Sequence, residues 1–388
     1  CYAVKTTYKK EPMIFMIQQL RRGAGSLRHL PEMLEKLGIH KPMAVCARSQ
    51  LERLNDCLGT IPHAVFTGYH PNPDFQDCAA GRDLYLAENC DGLISLGGGS
   101  AMDTAKGIKA LLLAPNAQAV LDNTWEARPL PHLAIPATAG TGSEATAIAV
   151  MYVDGIKHSL DHPALLPEGV ILDPDLLSTL PLYHKKACAL DALCQGIESY
   201  WARKSTEDSQ VDAFLAFTGV LDNLRPYLAG DPHAAEELQY AAYRSGCAIA
   251  VSRTTAAHAM SYRLTKRYGL AHGHACMLTL PAIWEAMLDD TDALPVLMDL
   301  AQKMRLGSEL MGPRLLRGIL YDLEMPFPPV PDAEALDDLT LSVNVQRLSN
   351  NPRIFTTEEI RAIYRRSMTP LHEPEKQACL DIWRYYGA

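Results

Sequence analysis

The stretch 91-DGLISLGGGSAMDTAKGIKALLL-113 decides how the first half of the chain is interpreted. An apolar run typical of a buried strand leads into the glycines at 97–99, and a helical pattern follows. Because these glycines lack a Cβ, the backbone can approach a phosphate closely. Ser100 and the first amides of the helix can then donate to the anion. The turn therefore indicates a phosphate site, although an ordinary tight strand-to-helix turn would use the same residues.

A second loop, 134-AIPATAGTGSEATAIAV-150, carries small hydrogen-bond donors after another apolar run. Thr138, Thr141 and Ser143 lie between glycines, and such a loop suits hydrogen bonds to a nucleotide or to a nicotinamide amide. A simple Ser/Thr turn is the other interpretation. The glycine turn is not the GxGxxG fingerprint, and it follows the fourth strand or so rather than the first.

The residues around these loops alternate short apolar runs with helical patterns. MIFMIQQL (13–20), PMAVCA (42–47) and HAVFTGY (63–69) predict strands, and 30-LPEMLEKLG-38 predicts a helix that Gly38 ends. Two further helical patterns, SQLERLNDCLG (49–59) and 77-DCAAGRDLYLAENC-90, separate the predicted strands. Strand–helix alternation is typical of a parallel sheet covered by helices. We therefore predict a Rossmann-like α/β domain that binds a dinucleotide over residues 1–180.

The pattern changes after ILDPDLLSTLPLY (171–183). Long segments such as QVDAFLAFTGVLDNLRPYL (210–228) place apolar residues at three- and four-residue spacing, with few β-branched runs. We predict an all-helical second domain over residues 181–388.

Composition limits the classes of function. The chain has 388 residues, 48% of them hydrophobic and 21% charged, with a net charge of −9. These values are typical of a soluble globular protein and argue against nucleic-acid binding. No apolar run reaches the ~18–20 residues of a membrane span. The N-terminal residues do not form a secretion signal, and the ten cysteines lack CxxC spacing. We expect a cytoplasmic protein with reduced thiols.

Three motifs together resemble the iron-containing (group III) alcohol dehydrogenase family: GGGSAMDTAK (97–106), PATAGTGSE (136–144) and LLPEGVILDPDL (165–176). The similarity extends from GAGSL (23–27) to NNPR (350–353). It implies the dehydroquinate synthase-like fold, in which an α/β dinucleotide-binding domain and a helical metal-binding domain enclose a cleft. In that cleft a hydride passes between the cofactor and an aldehyde.

The resemblance also implies how the cofactor is bound. It assigns Gly98, Gly99, Ser100 and Asp103 to the pyrophosphate region, Thr138, Thr141 and Ser143 to the length of the cofactor, and Lys157 to a ribose. In NAD-preferring relatives an acidic residue follows the second strand, whereas here Arg48 and Ser49 follow PMAVCA. A guanidinium and a hydroxyl would pair with a 2′-phosphate. We predict NADPH, with NADH possible, although Arg48 could equally be a solvated surface residue.

The candidate metal ligands lie in the second half. Asp191 and Gln195 are four residues apart on a predicted helix, and therefore on one face. His258 and His272 are fourteen apart, and Gly269 predicts a helix break between them. The family binds one divalent ion with an aspartate, a histidine four residues later and two further histidines. Gln195 replaces the second ligand. A site with an amide oxygen would favour Fe²⁺, with Mn²⁺ or Zn²⁺ possible, at reduced affinity.

The proton donor and the substrate are less well defined by the sequence. Tyr262 occupies the position of a proton-relaying histidine in many relatives, and His274 could replace it, although His274 could also be a plain structural histidine. YVDGIKHSLDHPALLP (152–167), DALCQGIESYW (191–201) and NVQRLSNNPR (344–353) look most like the branch that reduces phosphonoacetaldehyde to 2-hydroxyethylphosphonate. Six residues are candidates for binding such an anion: Arg253, Arg263, Lys266, Asn350, Asn351 and Arg353.

The sequence is also compatible with other functions. Polyol-phosphate dehydrogenases and dehydroquinate-synthase-like cyclases share the two-domain plan, and the substrate could be another small alcohol, diol or hydroxy acid. A catalytically inactive nucleotide-binding protein would also explain the replaced histidine. The resemblance further implies a homodimer, and a small aldehyde or alcohol as the only other partner.

Overall fold

The computed structural model of the chain describes residues 2–3, 17–343 and 348–386. Within these ranges the strands are β1 (Tyr2–Ala3), β2 (Ile17–Arg22), β3 (Pro42–Cys46), β4 (Ala64–Phe66), β5 (Gly92–Gly97), β6 (His132–Pro136), β7 (Ile148–Val153), β8 (Ile156–Asp161) and β9 (Gly169–Leu172). Residues 13–16 of the first predicted strand lie outside the described residues.

The main sheet has the strand order β1–β2–β9–β6–β5–β3–β4. In this spatial order, every neighbouring pair between β2 and the edge strand β4 is parallel. Only β1 is antiparallel to its neighbour. Every residue of β3, β5 and β6 is buried. A parallel sheet with both faces covered has this burial pattern. The predicted α/β fold is confirmed.

Alternate residues of the central strands face two separate cores. Met43 and Val45 pack in one core with residues of α3 (Phe75–Ala87) and α4 (Gly99–Leu113). Ala44 and Cys46 pack in the other with residues of α1 (Leu30–Leu37) and α2 (Leu51–Leu58). The two-residue period of a strand therefore explains why helices cover both faces. The remaining helix of this half is α5 (Ala117–Asp122).

The second half of the described chain is helical. Its helices are α6 (Leu182–Trp201), α7 (Glu207–Leu228), α8 (Pro232–Ser252), α9 (Ala256–Tyr268), α10 (His272–Met287), α11 (Leu294–Lys303), α12 (Met311–Asp322), α13 (Ala333–Leu341), α14 (Thr357–Met368) and α15 (Glu373–Arg384). Most residues of α6 and α10 are buried, and both helices contribute to one large core that includes Trp201 and Trp284. These two helices form the centre of the helical half.

An antiparallel hairpin, β7–β8, was not predicted from the sequence. Asp154 and Gly155 connect its strands with φ of 50° and 76°. Positive φ at both turn residues is the requirement of a type I′ hairpin, for which Asp-Gly is a preferred pair. The dipeptide in YVDGIK was therefore the local signal for this element.

Two features of the topology position a site at the carboxyl end of the sheet. From β3 the chain continues to β4 on one side, and from β5 it continues to β6 on the other. Such a reversal leaves a crevice at the carboxyl ends of the two strands, where ligands of open α/β sheets bind. The loop after β6 enters the helical half, where a Cβ on Gly142 would lie 2.5 Å from Cα of Gly246 in α8. The crevice therefore opens towards the helices.

In the part of the chain that the structure describes, no helix is both long enough and apolar enough to cross a bilayer.

Candidate metal centre and dinucleotide cleft

The two glycine loops predicted from the sequence meet in the structure. A Cβ on Gly98 would lie 3.3 Å from Cγ2 of Thr138, and one on Gly99 would lie 3.3 Å from Cγ2 of Thr141. The loops therefore form one surface at the start of α4, where backbone amides point outward. Ser100 belongs to this surface, and its hydroxyl accepts a hydrogen bond from the amide of Asn72 at 3.3 Å.

Arg48 and Ser49 follow β3 directly, and both side chains are exposed. Because β3 and β5 are paired, these residues lie at the same edge of the sheet as the glycine turn. This is the position that the NADPH prediction requires.

Asp103 and Ser143 lie beneath the loops and have partners inside the protein. The hydroxyl of Ser143 donates to Oδ1 of Asp103 at 3.3 Å. Nζ of Lys106 donates to the carbonyl oxygen of Ser143 at 2.6 Å and to its hydroxyl at 3.0 Å. Burial raises the pKa of Asp103 to about 6 and lowers the pKa of Lys106 to about 8, and the attraction between the two charges opposes both shifts. This geometry indicates that Asp103 and Ser143 hold the loop in place from inside the protein, rather than contact the cofactor.

The metal ligands predicted from the sequence come together where α9 and α10 meet α6. Gly269 ends α9 with a φ of 68°, and His272 is the first residue of α10, so the predicted helix break is confirmed. The next residue, Gly273, allows α10 to begin directly against α6. A Cβ at Gly273 would lie 2.1 Å from the carbonyl oxygen of Ala187 and 2.5 Å from Cβ of Asp191.

The distances within this cluster are those of potential ligands of one ion. Oδ1 of Asp191 lies 3.4 Å from Nε2 of His258 and 3.9 Å from Nε2 of His272. Cys276 completes the group, and one ligand atom from each of the four residues lies within 4.8 Å of the others. The side chains of Asp191 and His258 are 4% exposed, whereas that of His272 is 37% exposed. The cluster is therefore accessible from the side of His272.

A test of whether the site fits a metal comes from two buried atoms. Oδ1 of Asp191 and Nε2 of His258 form a buried ion pair at 3.4 Å, but neither atom makes a hydrogen bond among the described residues. A buried polar atom without a hydrogen bond costs about 1–3 kcal/mol, and a cation bound between the carboxylate oxygen and the imidazole nitrogen would satisfy both atoms. A carboxylate and two imidazoles are also ligands that divalent transition metals accept. The residues fit a divalent metal ion.

The electrostatics of the cluster agree with this donor set. Burial disfavours a charged His258, but the negative charges of Cys276 and Glu198 outweigh it and hold the pKa of His258 well above its usual value. Burial likewise opposes ionisation of Asp191, yet His272 and His258 lower the pKa of its carboxyl group. The cluster attracts positive charge: without a metal His258 is protonated on both ring nitrogens, and a bound cation would displace the proton from Nε2.

Glu198 is a site residue that the sequence analysis missed. Its Oε1 accepts hydrogen bonds from Oγ1 of Thr255 and from the amide of Ala257, both at 2.7 Å, while its Oε2 pairs with Nδ1 of His258. This contact places the proton of His258 on Nδ1, which leaves Nε2 free to bind a metal. The signal was present in α6, where Asp191, Gln195 and Glu198 are spaced i, i+4 and i+7 on one face.

Gln195 lies beside the cluster, but its amide is already engaged. Nε2 donates to Oδ2 of Asp191 and to the carbonyl oxygen of Thr141, each at 3.3 Å. Oε1 accepts from the hydroxyl of Ser245 at 2.7 Å. Because two acceptors face the same side of the amide, its NH₂ group must lie there. The only atom that could bind a metal points to Ser245, so the structure does not support the predicted ligation by Gln195.

Tyr262 and Lys157 adjoin the accessible side of the cluster. The rings of Tyr262 and His272 are stacked with centroids 5.7 Å apart. Nζ of Lys157 lies 3.6 Å from the centroid of the Tyr262 ring, which is a cation–π contact between the β7–β8 hairpin and α9. A residue predicted to contact the cofactor and a residue predicted to relay a proton are therefore neighbours.

His274 is on the other side of α10. Two residues after His272 it is rotated by about 200° around the helix. Its side chain is fully buried, and Nδ1 lies 3.1 Å from the hydroxyl of Tyr183. Burial lowers the pKa of His274 to about 4. The structure thus corrects the suggestion that His274 relays protons, because it is a neutral core residue that joins the start of α10 to α6.

Most residues suggested as substrate contacts have internal partners instead. Asn350 is buried and donates to the carbonyl oxygens of Ser252 and Thr254 at 2.8 and 3.0 Å. Asn351 is fully buried and donates to the carbonyl oxygen of Arg353 at 2.8 Å. These residues hold the chain after residue 348 against the ends of α8 and α10, so the structure does not support a role for them in binding an anion.

The cationic candidates are also paired. Arg253 donates to Asp161 at 2.7 Å, Arg263 binds both carboxylate oxygens of Asp338, and Arg353 pairs with Glu359. Lys266 alone of the six is exposed. A paired guanidinium is a weaker attractor of a second anion. The sequence could not show the pairs of Arg253 and Arg263, because their carboxylate partners lie 92 and 75 residues away along the chain.

The fold and the site together define a class of protein. A crevice at the carboxyl end of a parallel sheet, with two glycine loops at its edge, lies beside a buried aspartate–histidine cluster that fits a divalent metal. These are the features expected of a metal-dependent dehydrogenase. Comparison with protein families identifies which one. Residues 18–174 match the iron-containing alcohol dehydrogenase family, and residues 186–313 match the C-terminal region of the same family. The chain belongs to the iron-containing alcohol dehydrogenase family. It is therefore an NAD(P)-dependent oxidoreductase of a family that uses a nicotinamide dinucleotide and a divalent metal.

Individual relatives are similar at moderate identity. The chain is 36% identical over 273 residues to phosphonoacetaldehyde reductase of Streptomyces viridochromogenes, which covers 66% of this chain and 67% of the relative. It is 30% identical over 276 residues to NAD-dependent methanol dehydrogenase of Bacillus methanolicus, covering 67% and 72% of the two chains.

Solved structures agree on the fold. The sulfoacetaldehyde reductase of Bifidobacterium kashiwanohense in complex with NAD⁺ superposes with a TM-score of 0.85 at 25% identity, covering 91% of this chain and 97% of that one. An iron-containing alcohol dehydrogenase of Thermotoga maritima gives 0.79 at 27% identity, with coverage of 90% and 98%.

Proposed function

We propose that this enzyme reduces a small anionic aldehyde, with phosphonoacetaldehyde as the first candidate, and that it uses NADPH. The observation that carries the proposal is the buried pair of Oδ1 of Asp191 and Nε2 of His258, which lie 3.4 Å apart beside the cleft without a hydrogen bond to any described residue. A metal ion bound between them would supply the Lewis acid that carbonyl reduction needs, which argues against an inactive nucleotide-binding protein.

Asp191, His258 and His272 would hold the metal. When bound, the metal polarises the carbonyl oxygen and the nicotinamide supplies the hydride. Glu198 holds His258 in the tautomer that leaves Nε2 available. The joined glycine loops would bind the dinucleotide phosphates through backbone amides at the start of α4.

Tyr262 is the residue we assign to the proton. It lies against His272 on the accessible side of the cluster, whereas His274 is buried on the opposite side of α10. A phenol can donate a hydrogen bond to an oxygen that gains negative charge during reduction, and water can then replace the proton.

Support for an anionic substrate comes from two sources. Two similar proteins are named for two-carbon aldehydes that carry a phosphonate or a sulfonate. In this chain, Lys157 places a cation next to Tyr262 at the accessible side of the cluster. A cation there would attract such a group, and this function of Lys157 would add to the ribose contact that the family resemblance implies.

The preference for NADPH rests on Arg48 and Ser49. Both are exposed at the carboxyl end of β3, beside the glycine turn that follows β5. A guanidinium and a hydroxyl at this edge suit a 2′-phosphate better than they suit the hydroxyl of NADH.

The deciding experiment compares kcat/KM for phosphonoacetaldehyde, sulfoacetaldehyde and propionaldehyde, with NADPH oxidation as the readout and the metal content measured on the same sample. We expect at least a tenfold advantage for one of the anionic aldehydes. Lys157→Met should lower kcat/KM for the anionic aldehydes by a larger factor than for propionaldehyde, because any loss through the ribose contact or through Tyr262 is common to all three substrates. Equal kcat/KM values for the charged and neutral aldehydes would exclude the anionic substrate, and no oxidation by the metal-loaded protein would exclude the function.

The homodimer stays a prediction of the family resemblance. Light scattering of the purified chain tests it directly.

A further inference from the structure

The fourth position of the metal site is the one where this chain departs from its family. Gln195 stands where the resemblance implies a histidine, and its amide oxygen accepts from Ser245. If Gln195 turned its oxygen towards the cluster, its NH₂ group would leave Oδ2 of Asp191 and the carbonyl oxygen of Thr141 without their donor. If Gln195 were the fourth ligand, the site would therefore have three strong ligands and one weak amide ligand.

Cys276 offers a replacement from the opposite helix. It follows His272 by four residues on α10, so both side chains lie on one face. Sγ of Cys276 lies 3.9 Å from Nε2 of His272, and it belongs to the group whose ligand atoms all lie within 4.8 Å of one another. Cys276 is completely buried. Its sulfur therefore faces the same space as Oδ1 of Asp191 and Nε2 of His258.

The distances suit an ion that all four residues share. Bonds of ~2.0–2.1 Å to nitrogen or oxygen and of ~2.3 Å to sulfur place tetrahedral ligand atoms ~3.3–3.6 Å apart. The observed separations of Oδ1 of Asp191 from the two imidazoles are 3.4 and 3.9 Å. The sulfur of Cys276 lies 3.9 Å from Nε2 of His272 and no more than 4.8 Å from the other ligand atoms, so the four side chains would close slightly around an ion. Expansion to five ligands would still admit a substrate oxygen.

We propose that Cys276, and not Gln195, is the fourth protein ligand of the divalent ion, and that its thiolate makes the site select Zn²⁺ over Fe²⁺. The physical reason for the selection is that a soft sulfur donor favours Zn²⁺, whereas a site completed by an amide oxygen would favour a harder ion. Gln195 then acts as a positioning residue, since its NH₂ group orients the carboxylate of Asp191. The proposal rests on the proposed function only in that a divalent ion occupies the cluster.

The chain contains a matched control for this thiol. Cys194 is also completely buried and lies in α6 between Asp191 and Gln195, but its sulfur contacts Sδ of Met277 at 3.8 Å and is not among the four grouped ligands. Cys276→Ser and Cys194→Ser therefore change the same atom in similar surroundings, and only the first should alter the metal.

The first measurement replaces the metal of the full chain by Co²⁺ and records the absorption spectrum. The wild-type protein should show a thiolate-to-cobalt charge-transfer band in the near ultraviolet. Cys276→Ser should lose the band and Cys194→Ser should retain it. The proposal is wrong if the wild type has no band, if Cys276→Ser keeps it, or if Cys194→Ser loses it.

Three further measurements guard against a variant that does not fold. X-ray absorption of the zinc-loaded wild type should show one sulfur among the ligands, and a shell of only nitrogen and oxygen would overturn the proposal. The double variant Gln195→His/Cys276→Ser should bind metal again without the charge-transfer band. Competition between Zn²⁺ and Fe²⁺ should favour Zn²⁺ in the wild type, and this preference should fall at least tenfold in the double variant.

These results separate the inference from the proposed function. A sulfur ligand in a protein that reduces no aldehyde would leave the inference intact and refute the function. Reduction of an anionic aldehyde by a protein without a sulfur ligand would have the opposite meaning.

Discussion

Substitution of Glu198 by glutamine is the most informative perturbation of the metal site. Glu198 is fully buried, and its two carboxylate oxygens accept from the hydroxyl of Thr255, from the amide of Ala257 and from Nδ1 of His258. All three partners are donors. A glutamine has the same shape but offers only one accepting oxygen.

Either orientation of the new amide has a cost that can be estimated. If the oxygen stays with Thr255 and Ala257, the NH₂ group faces Nδ1 of His258, and the imidazole proton must move to Nε2. Nε2 could then no longer bind the metal. If the amide turns round, two buried donors lose their acceptor, at about 1–3 kcal/mol of folding stability. Changing the partner that orients a histidine ligand weakens metal binding by about 10- to 100-fold, or roughly 1.4–2.7 kcal/mol.

The assay is the metal dissociation constant, measured by competition with a chelator, together with thermal unfolding with and without metal. Glu285→Gln is the control, because Glu285 is a partly exposed carboxylate on α10 that pairs with Arg317 and Arg366, both at 3.2 Å. We expect the control to bind metal normally. A folded Glu198→Gln variant whose affinity stays within threefold of the wild type would refute the argument about the tautomer.

Four further predictions concern other parts of the molecule. Arg48→Asp should lower kcat/KM for NADPH at least tenfold and spare NADH, because a carboxylate repels the 2′-phosphate; steady-state kinetics with both cofactors tests this. Gly273→Ala should destabilise the protein by about 1–3 kcal/mol and reduce its metal content, since the new Cβ would lie 2.1 Å from a carbonyl oxygen of α6. Burial raises the pKa of Glu144 from 4.5 to about 7, so stability falls as the pH rises through this window. Glu144→Gln should therefore stabilise by up to about 3 kcal/mol near pH 8 but little below pH 4.5, as urea unfolding can show. Asn351→Ala should cost about 1–3 kcal/mol of stability and leave KM for the aldehyde unchanged.

Each of these has an outcome that would contradict it. An unchanged cofactor preference in Arg48→Asp would show that Arg48 is a solvated surface residue that does not contact the cofactor. Gly307→Ala is the control for Gly273, because its nearest neighbour would be a methionine sulfur at 3.5 Å, and equal effects of both would rule out the close approach to α6. A Glu144→Gln stabilisation independent of pH would contradict the raised pKa. A higher KM for the aldehyde in a stable Asn351→Ala variant would show that Asn351 contributes to substrate binding.

The local patterns of the sequence were sufficient for the fold. Helix α1 ends at Gly38, and strands β3 and β5 lie where apolar runs predicted them. The hairpin after residue 147 was not predicted although its Asp-Gly turn is visible, because β8 is mostly not buried and lacks the apolar run that marks the buried parallel strands.

The site was only partly predictable. Asp191, His258 and His272 were found from their spacing and from the family resemblance, and the structure groups them. Glu198 and Cys276 were missed because each acts across a helix–helix contact. Glu198 meets its histidine 60 residues further along the chain. Arg253 and Arg263 were wrongly expected to bind an anion for the same reason, since their carboxylate partners lie 92 and 75 residues away along the chain.

The sequence by itself determined the alternating α/β half, the helical half and the two glycine loops, because helix and strand periods and glycine turns depend on neighbouring residues. Its resemblance to a family indicated three candidate metal ligands. Only the tertiary structure decided which way the amide of Gln195 faces, which thiol adjoins the cluster and which cations are already neutralised. Those properties follow from the packing of α6, α8, α9 and α10 against one another, and a hydrogen bond or a ligand distance exists only once the helices that carry its two ends are in place.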